Sequence, residues 1–154
     1  MSTVILLHGN PGSGKSFLAK ELAAKYSFFA LHVDDVYVSF IRDFCPDLYF
    51  AALSLYIGPH YDKILIHREH SKRHFHRDFV AEWHDHLHRQ ILTVAHMHSR
   101  VVVEGYLLRD FQDRFMATIS PDVQVFLIEV ASRTYRVNGN PTTIDQIAVL
   151  GASL

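Results

Sequence analysis

A chain of 154 residues fits a single domain, 1–154, with enough length to bury a three-layer core. Apolar residues make up 49% and the formal net charge is -1, which excludes a disordered chain and a broad nucleic-acid-binding surface. The one cysteine, Cys45, excludes an internal disulfide framework and suits a reducing compartment; beside Pro46 it reads as a small hydrophobe rather than a nucleophile. The start runs straight into an apolar stretch with no room for a signal peptide, and no apolar run approaches membrane-spanning length. The expectation is a cytoplasmic protein with neither membrane nor nucleic acid as partner.

The first predicted element is a strand over Thr3-Val4-Ile5-Leu6-Leu7, β-branched and apolar as in a strand buried on both faces. Gly9-Asn10-Pro11-Gly12-Ser13-Gly14-Lys15-Ser16 follows and matches the phosphate-loop pattern G-x-x-x-x-G-K-[ST] in full. A helix is predicted from Ser16 to Tyr26, with apolar residues at Leu18, Leu22 and Tyr26. The strand-loop-helix context is what the chemistry needs. Glycines let successive N–H groups point inward at a polyphosphate, and the helix N-terminus adds partial positive charge. Asn10, Pro11, Gly12, Ser13, Gly14, Lys15, Ser16 and Phe17 are therefore the candidate nucleotide-binding residues, with Lys15 reaching the β- and γ-phosphates and Ser16 offering its hydroxyl to Mg²⁺. The bland alternative is a glycine-rich turn that contains Lys-Ser by coincidence.

A second strand is predicted over Phe28 to Val33, and Asp34-Asp35 place two carboxylates beyond its carboxyl end. Asp34 is a candidate base for a hydroxyl acceptor and Asp35 a candidate for ordering Mg²⁺; an Asp pair at the start of the next helix is the structural alternative. A helical insert of about 38–98 comes next. Within it, Leu48 to Ile57 is one segment, closed by Gly58-Pro59. From about Ser71 to His98, Phe75, Phe79, Val80, Trp83, Leu87, Ile91 and Val94 form an apolar stripe at helical spacing. His70, Arg73, Arg77, His84 and His88 gather along one edge of that stripe, while His76 and His98 fall on it as core residues. Arg73 and Arg77, one turn apart, suit an anionic substrate and the charge on a transferring phosphoryl group. Arg68, Arg109, Arg114, Arg133 and Arg136 are further candidates for that role.

Arg100 to Glu104 is the third predicted strand, and Glu104 at its end is a candidate metal contact beside Ser16, or else one half of a structural ion pair. Val123 to Val130 and Thr134 to Val137 are the fourth and fifth. Asn138 to Pro141 reads as a turn and Thr142 to Leu150 as a last helix capped by Thr142 or Thr143.

Together, the phosphate loop, Val33-Asp34-Asp35-Val36-Tyr37 and Val103-Glu104-Gly105-Tyr106-Leu107-Leu108 resemble the P-loop kinases of small molecules, notably the uridine kinase and pantothenate kinase branch, and also kinases related to zeta toxins. The resemblance covers the first forty residues and the strands from Arg100 onward. It implies an α/β P-loop NTPase three-layer sandwich with a five-stranded parallel sheet ordered 2-3-1-4-5, and ATP with Mg²⁺ as donor. It also implies Asp34 as base, Tyr37 at the border of the acceptor pocket and Glu104 assisting the metal. The function expected is phosphoryl transfer to a small acceptor, with nucleosides and nucleotides as candidates. One departure stands out: only Ala131-Ser132-Arg133 separates Val130 from the fifth strand, where these families carry an arginine-bearing lid. Two other readings stay open. The His70/His74 and His84/His88 pairs fit a nucleotide-hydrolysing switch or metallochaperone, and the reduced lid fits a module that binds nucleotide without turnover.

Overall fold

The computed structural model describes residues 1–10, 12–44, 46, 80–105, 109–118 and 121–152. Two compact units divide the chain, Met1–Val33 with Ile91–Leu154, and Asp34–Gln90. In the first unit, β1 (Ser2–His8), β2 (Phe29–His32), β3 (Arg100–Glu104), β4 (Val123–Ala131), β5 (Thr134–Val137) and β6 (Asn140–Thr142) form one sheet, ordered β2-β3-β1-β4-β5-β6. The helices are α1 (Lys15–Tyr26), α2 (Val33–Phe44), α3 (Val80–Met97), α4 (Arg109–Ala117) and α5 (Ile144–Ala148).

The sheet is mixed, which overturns the expected five-stranded parallel P-loop sandwich. Strands β2, β3, β1 and β4 run parallel, but β5 pairs antiparallel with β4, and a sixth strand, β6, pairs antiparallel with β5. Connection length explains the direction. Ala131 pairs with Thr134 across two residues, Ser132 and Arg133, with φ of 48° and 60°. A parallel return requires a crossover of a dozen or more residues, whereas two residues with positive φ close a hairpin whose twist matches its strands. The second hairpin repeats the device. Asn138 (φ 52°) and Gly139 (φ 78°) form its turn, and Val137 pairs with Asn140, so the predicted four-residue turn is half turn and half strand.

The core forms where the parallel strands are covered. Ile5 and Leu7 of β1, Val102 of β3, and Ile128 and Val130 of β4 pack with Leu18, Ala19 and Leu22 of α1 and with Ile147 and Ala148 of α5. Val4 and Leu6 on the opposite face of β1 are also fully buried, so β1 is apolar from Val4 to Leu7, where neither face meets water. The last helix is shorter than predicted. Thr143 caps it by accepting from the Gln146 N–H, while the Gln146 side chain accepts from the Thr143 N–H, a complete capping box.

In the second unit, α2 and the first part of α3 carry an aromatic cluster: Tyr37 meets Trp83 edge-on at 5.1 Å, and Phe40 lies 5.5 Å from Trp83 and 5.4 Å from His86. The buried stripe of α3 comprises Trp83, His84, Leu87, Ile91 and Ala95. His84 therefore belongs to the buried face and not to a cationic edge, because it precedes Leu87 by three residues and so shares its side of the helix. The segment Leu48 to Ile57, the start of the predicted long helix, and His70, Arg73, His74, His76 and Arg77 lie outside the described residues. No helix among the described residues is long and apolar enough to cross a membrane.

Candidate functional site

The end of β1, the N-terminus of α1 and the end of β3 converge on the phosphate-loop octet. The Ser13 N–H donates to the Asn10 carbonyl (3.1 Å), and Gly12 and Gly14 take φ of 81° and 107°. At Gly14 the positive φ and the surroundings act together: a Cβ there would stand 2.9 Å from Cγ of Arg133. Gly9 is required by close approach alone, since its Cβ would fall 2.3 Å from the Val130 carbonyl oxygen. The chain thus leaves β1 pressed against β4 and then turns into α1, whose first residue is Lys15.

Lys15 is only 8% exposed, and its ammonium donates to the Gly9 carbonyl at 2.7 Å. The amine is folded back over its own loop, with Ser13 buried beside it and Asn10, Gly12, Ser16 and Phe17 exposed. Ser13 Oγ is buried with no hydrogen-bond partner among the described residues. Pro11 lies outside the described residues. The hairpin after β4 braces the loop from the other side. The Arg133 N–H donates to the Ser13 carbonyl (2.8 Å), and the Arg133 guanidinium sits 4.6 Å over the Phe17 ring.

Ser16 Oγ donates to Glu104 Oε1 at 3.1 Å, so the loop and the end of β3 are in direct contact. Glu104 has a second partner that sequence reasoning missed: His32 Nδ1 lies 2.9 Å from Oε2. The signal was in the register. His32 ends β2 as Glu104 ends β3, the two strands are adjacent and parallel, and these residues are directly paired. His8, the last residue of β1, was missed as well; its Nδ1 lies 3.0 Å from Nε2 of the buried Gln112 on α4.

The donor set suits Mg²⁺ bound with phosphates. Mg²⁺ is held by one or two protein oxygens alongside substrate phosphates and water, and Ser16 with Glu104 supplies a hydroxyl and a carboxylate beside a loop whose amides suit anions. No group of three or more His, Cys, Asp or Glu able to hold a metal by protein ligands alone occurs among the described residues.

The other predicted residues fall in the second unit. Asp34 and Asp35 are exposed in the first turn of α2, where the helix dipole favours negative charge. Tyr37 is 2% exposed and packs edge-on against Trp83. Among the other arginines, Arg114 lies in the last turn of α4 and Arg136 reaches the Gly139 carbonyl at 3.4 Å. Comparison with protein-family models and with curated proteins gives no match for this chain.

Proposed function

We propose that the protein is an ATP-dependent phosphotransferase of the cytoplasm acting on a small-molecule acceptor, with nucleosides and nucleotides as the first candidates. One observation carries the reading: a complete phosphate loop at a helix N-terminus, with Lys15 folded onto its backbone and the Ser16 hydroxyl donated to a strand-end carboxylate. In this reading the loop N–H groups and the start of α1 bind the polyphosphate. Lys15 leaves the Gly9 carbonyl for the β- and γ-phosphates. Ser16 and Glu104, with Asp35 as a further candidate, hold Mg²⁺, which when bound neutralises charge on the phosphate oxygens. Asp34 accepts the proton of the acceptor hydroxyl, and Arg73 or Arg77 offsets charge on the transferring group.

The test is phosphoryl transfer from labelled ATP across an acceptor library, with binding followed separately by calorimetry. Asp34→Ala is expected to abolish product and retain ATP binding. Absence of any heat with MgATP or MgGTP refutes the reading.

A second reading, nucleotide binding without turnover, is favoured by the two-residue turn between β4 and β5, which leaves no chain there for a lid to exclude water. It predicts binding of the same nucleotides with no product for any acceptor.

A further inference from the structure

Glu104 is held at both oxygens by donors from two different elements: Ser16 of α1 at Oε1 (3.1 Å) and His32 of β2 at Oε2 (2.9 Å). Its side chain is 15% exposed and that of His32 is 41% exposed, so the imidazole lies on the solvent side of the carboxylate. A glutamate at a strand end has three side-chain torsions, and ordering them costs conformational entropy. A single bond from Ser16 leaves the carboxylate plane free to turn about it. The second bond, from a residue fixed opposite Glu104 by strand register, removes that freedom.

The orientation matters for Ser16. A serine hydroxyl has one hydrogen and two lone pairs, and it can serve a cation only if the hydrogen is directed elsewhere. Directed at Glu104, the hydrogen leaves both lone pairs available.

We propose that His32 is a positioning residue: its Nδ1–H fixes the Glu104 carboxylate so that Ser16 presents lone pairs to the divalent cation accompanying a bound nucleotide. The inference rests on the phosphate-site reading and adds to it the residue that sets metal affinity. In this role His32 acts through Glu104. Its role is of the kind that outer partners of metal ligands play, where replacement typically lowers metal affinity about 10- to 100-fold.

The test uses the full chain with Mn²⁺ as probe. Free Mn²⁺ is followed by electron paramagnetic resonance in the presence of a non-hydrolysable ATP analogue, and analogue binding in excess chelator is measured by calorimetry. His32→Leu is expected to weaken Mn²⁺ about 10-fold or more while metal-free nucleotide affinity is unchanged. His32→Asn places an amide N–H where Nδ1 stood and restores the affinity to within about threefold of the wild type. His32→Gln places its amide farther out, at the reach of Nε2, and does not restore it. Equal Mn²⁺ affinity in wild type and His32→Leu overturns the proposal, as does failure of His32→Asn to outperform His32→Gln. If the wild type binds the analogue neither with metal nor without it, the phosphate-site reading fails and takes this inference with it; wild-type binding with an unresponsive His32→Leu variant removes the inference alone.

Discussion

Replacing Lys15 with Met tests the loop most directly, because it removes the charge and keeps most of the stem that fills the buried position. In the free protein the ammonium donates to a neutral carbonyl at 2.7 Å. Nucleotide binding exchanges that partner for an anionic phosphate, so the affinity at stake is the difference between the two bonds and not the whole of the second. Hydrogen bonds to charged groups contribute about 1.5–3 kcal/mol net, and since the Lys15–Gly9 bond belongs to the same class, the exchange leaves up to about 1.5 kcal/mol, roughly a 10-fold loss of affinity. The fold should respond much less. The Gly9 carbonyl loses its donor, which is unfavourable, but a buried charge is replaced by a thioether, which is favourable; the two effects oppose one another. Calorimetry with MgATP and urea unfolding monitored by circular dichroism separate these expectations. Unchanged affinity refutes the role given to Lys15. Lost affinity together with a large drop in the urea midpoint refutes the reasoning differently, by showing that the ammonium holds the loop together rather than the nucleotide.

Two further predictions concern the scaffold. Thr143→Ala removes the acceptor for the Gln146 N–H in the capping box of α5 and is expected to cost about 1 kcal/mol, read as a melting temperature lower by about 2–4 °C; an unchanged value would show that α5 is held by Ile147 and Ala148 alone. The pKa of His86, half-buried near Phe40 and Trp83, is lowered by burial first and by the Arg89 charge second, with Asp43 opposing. The unfolded chain then takes up the proton as pH falls through about 6.5 while the folded form resists it, so stability decreases over that interval. The difference between urea midpoints at pH 7.5 and 5.5 should shrink in His86→Gln, and an equal difference in both proteins would remove His86 as its source.

Much of the candidate site was legible because it is local in sequence. The octet Gly9 to Ser16 carries its turn glycines, its lysine and its hydroxyl within one loop, and an apolar strand and a helix flank it. Glu104 was legible as the polar residue that ends the apolar run Val101 to Val103. His32 was not, because its partner is distant along the chain and adjacent only across the sheet, and because a strand drawn on to Val33 sets that residue rather than His32 at its end; β2 stops at His32, directly opposite Glu104. His84 falls at the edge of a stripe defined by hydrophobic residues alone, but its spacing of three from Leu87 sets it on the buried face.

The direction of β5 is legible in the sequence too, in the length of its connection to β4. Three residues between Val130 and Thr134 cannot carry a strand back to begin again parallel, and Asn138-Gly139 is the strongest short hairpin signal a sequence offers. The same shortness has a consequence for the site. Read as a missing lid, Ala131-Ser132-Arg133 is a loss; folded as a tight turn, it brings the Arg133 N–H to the Ser13 carbonyl and the guanidinium over Phe17. A long crossover would carry that arginine away on a helix of its own, whereas a two-residue turn can only deliver it where β4 ends, beside the loop that β1 also feeds. The antiparallel strands therefore lie at the edge of the sheet remote from Glu104 and His32, but the turn that begins them braces the phosphate loop.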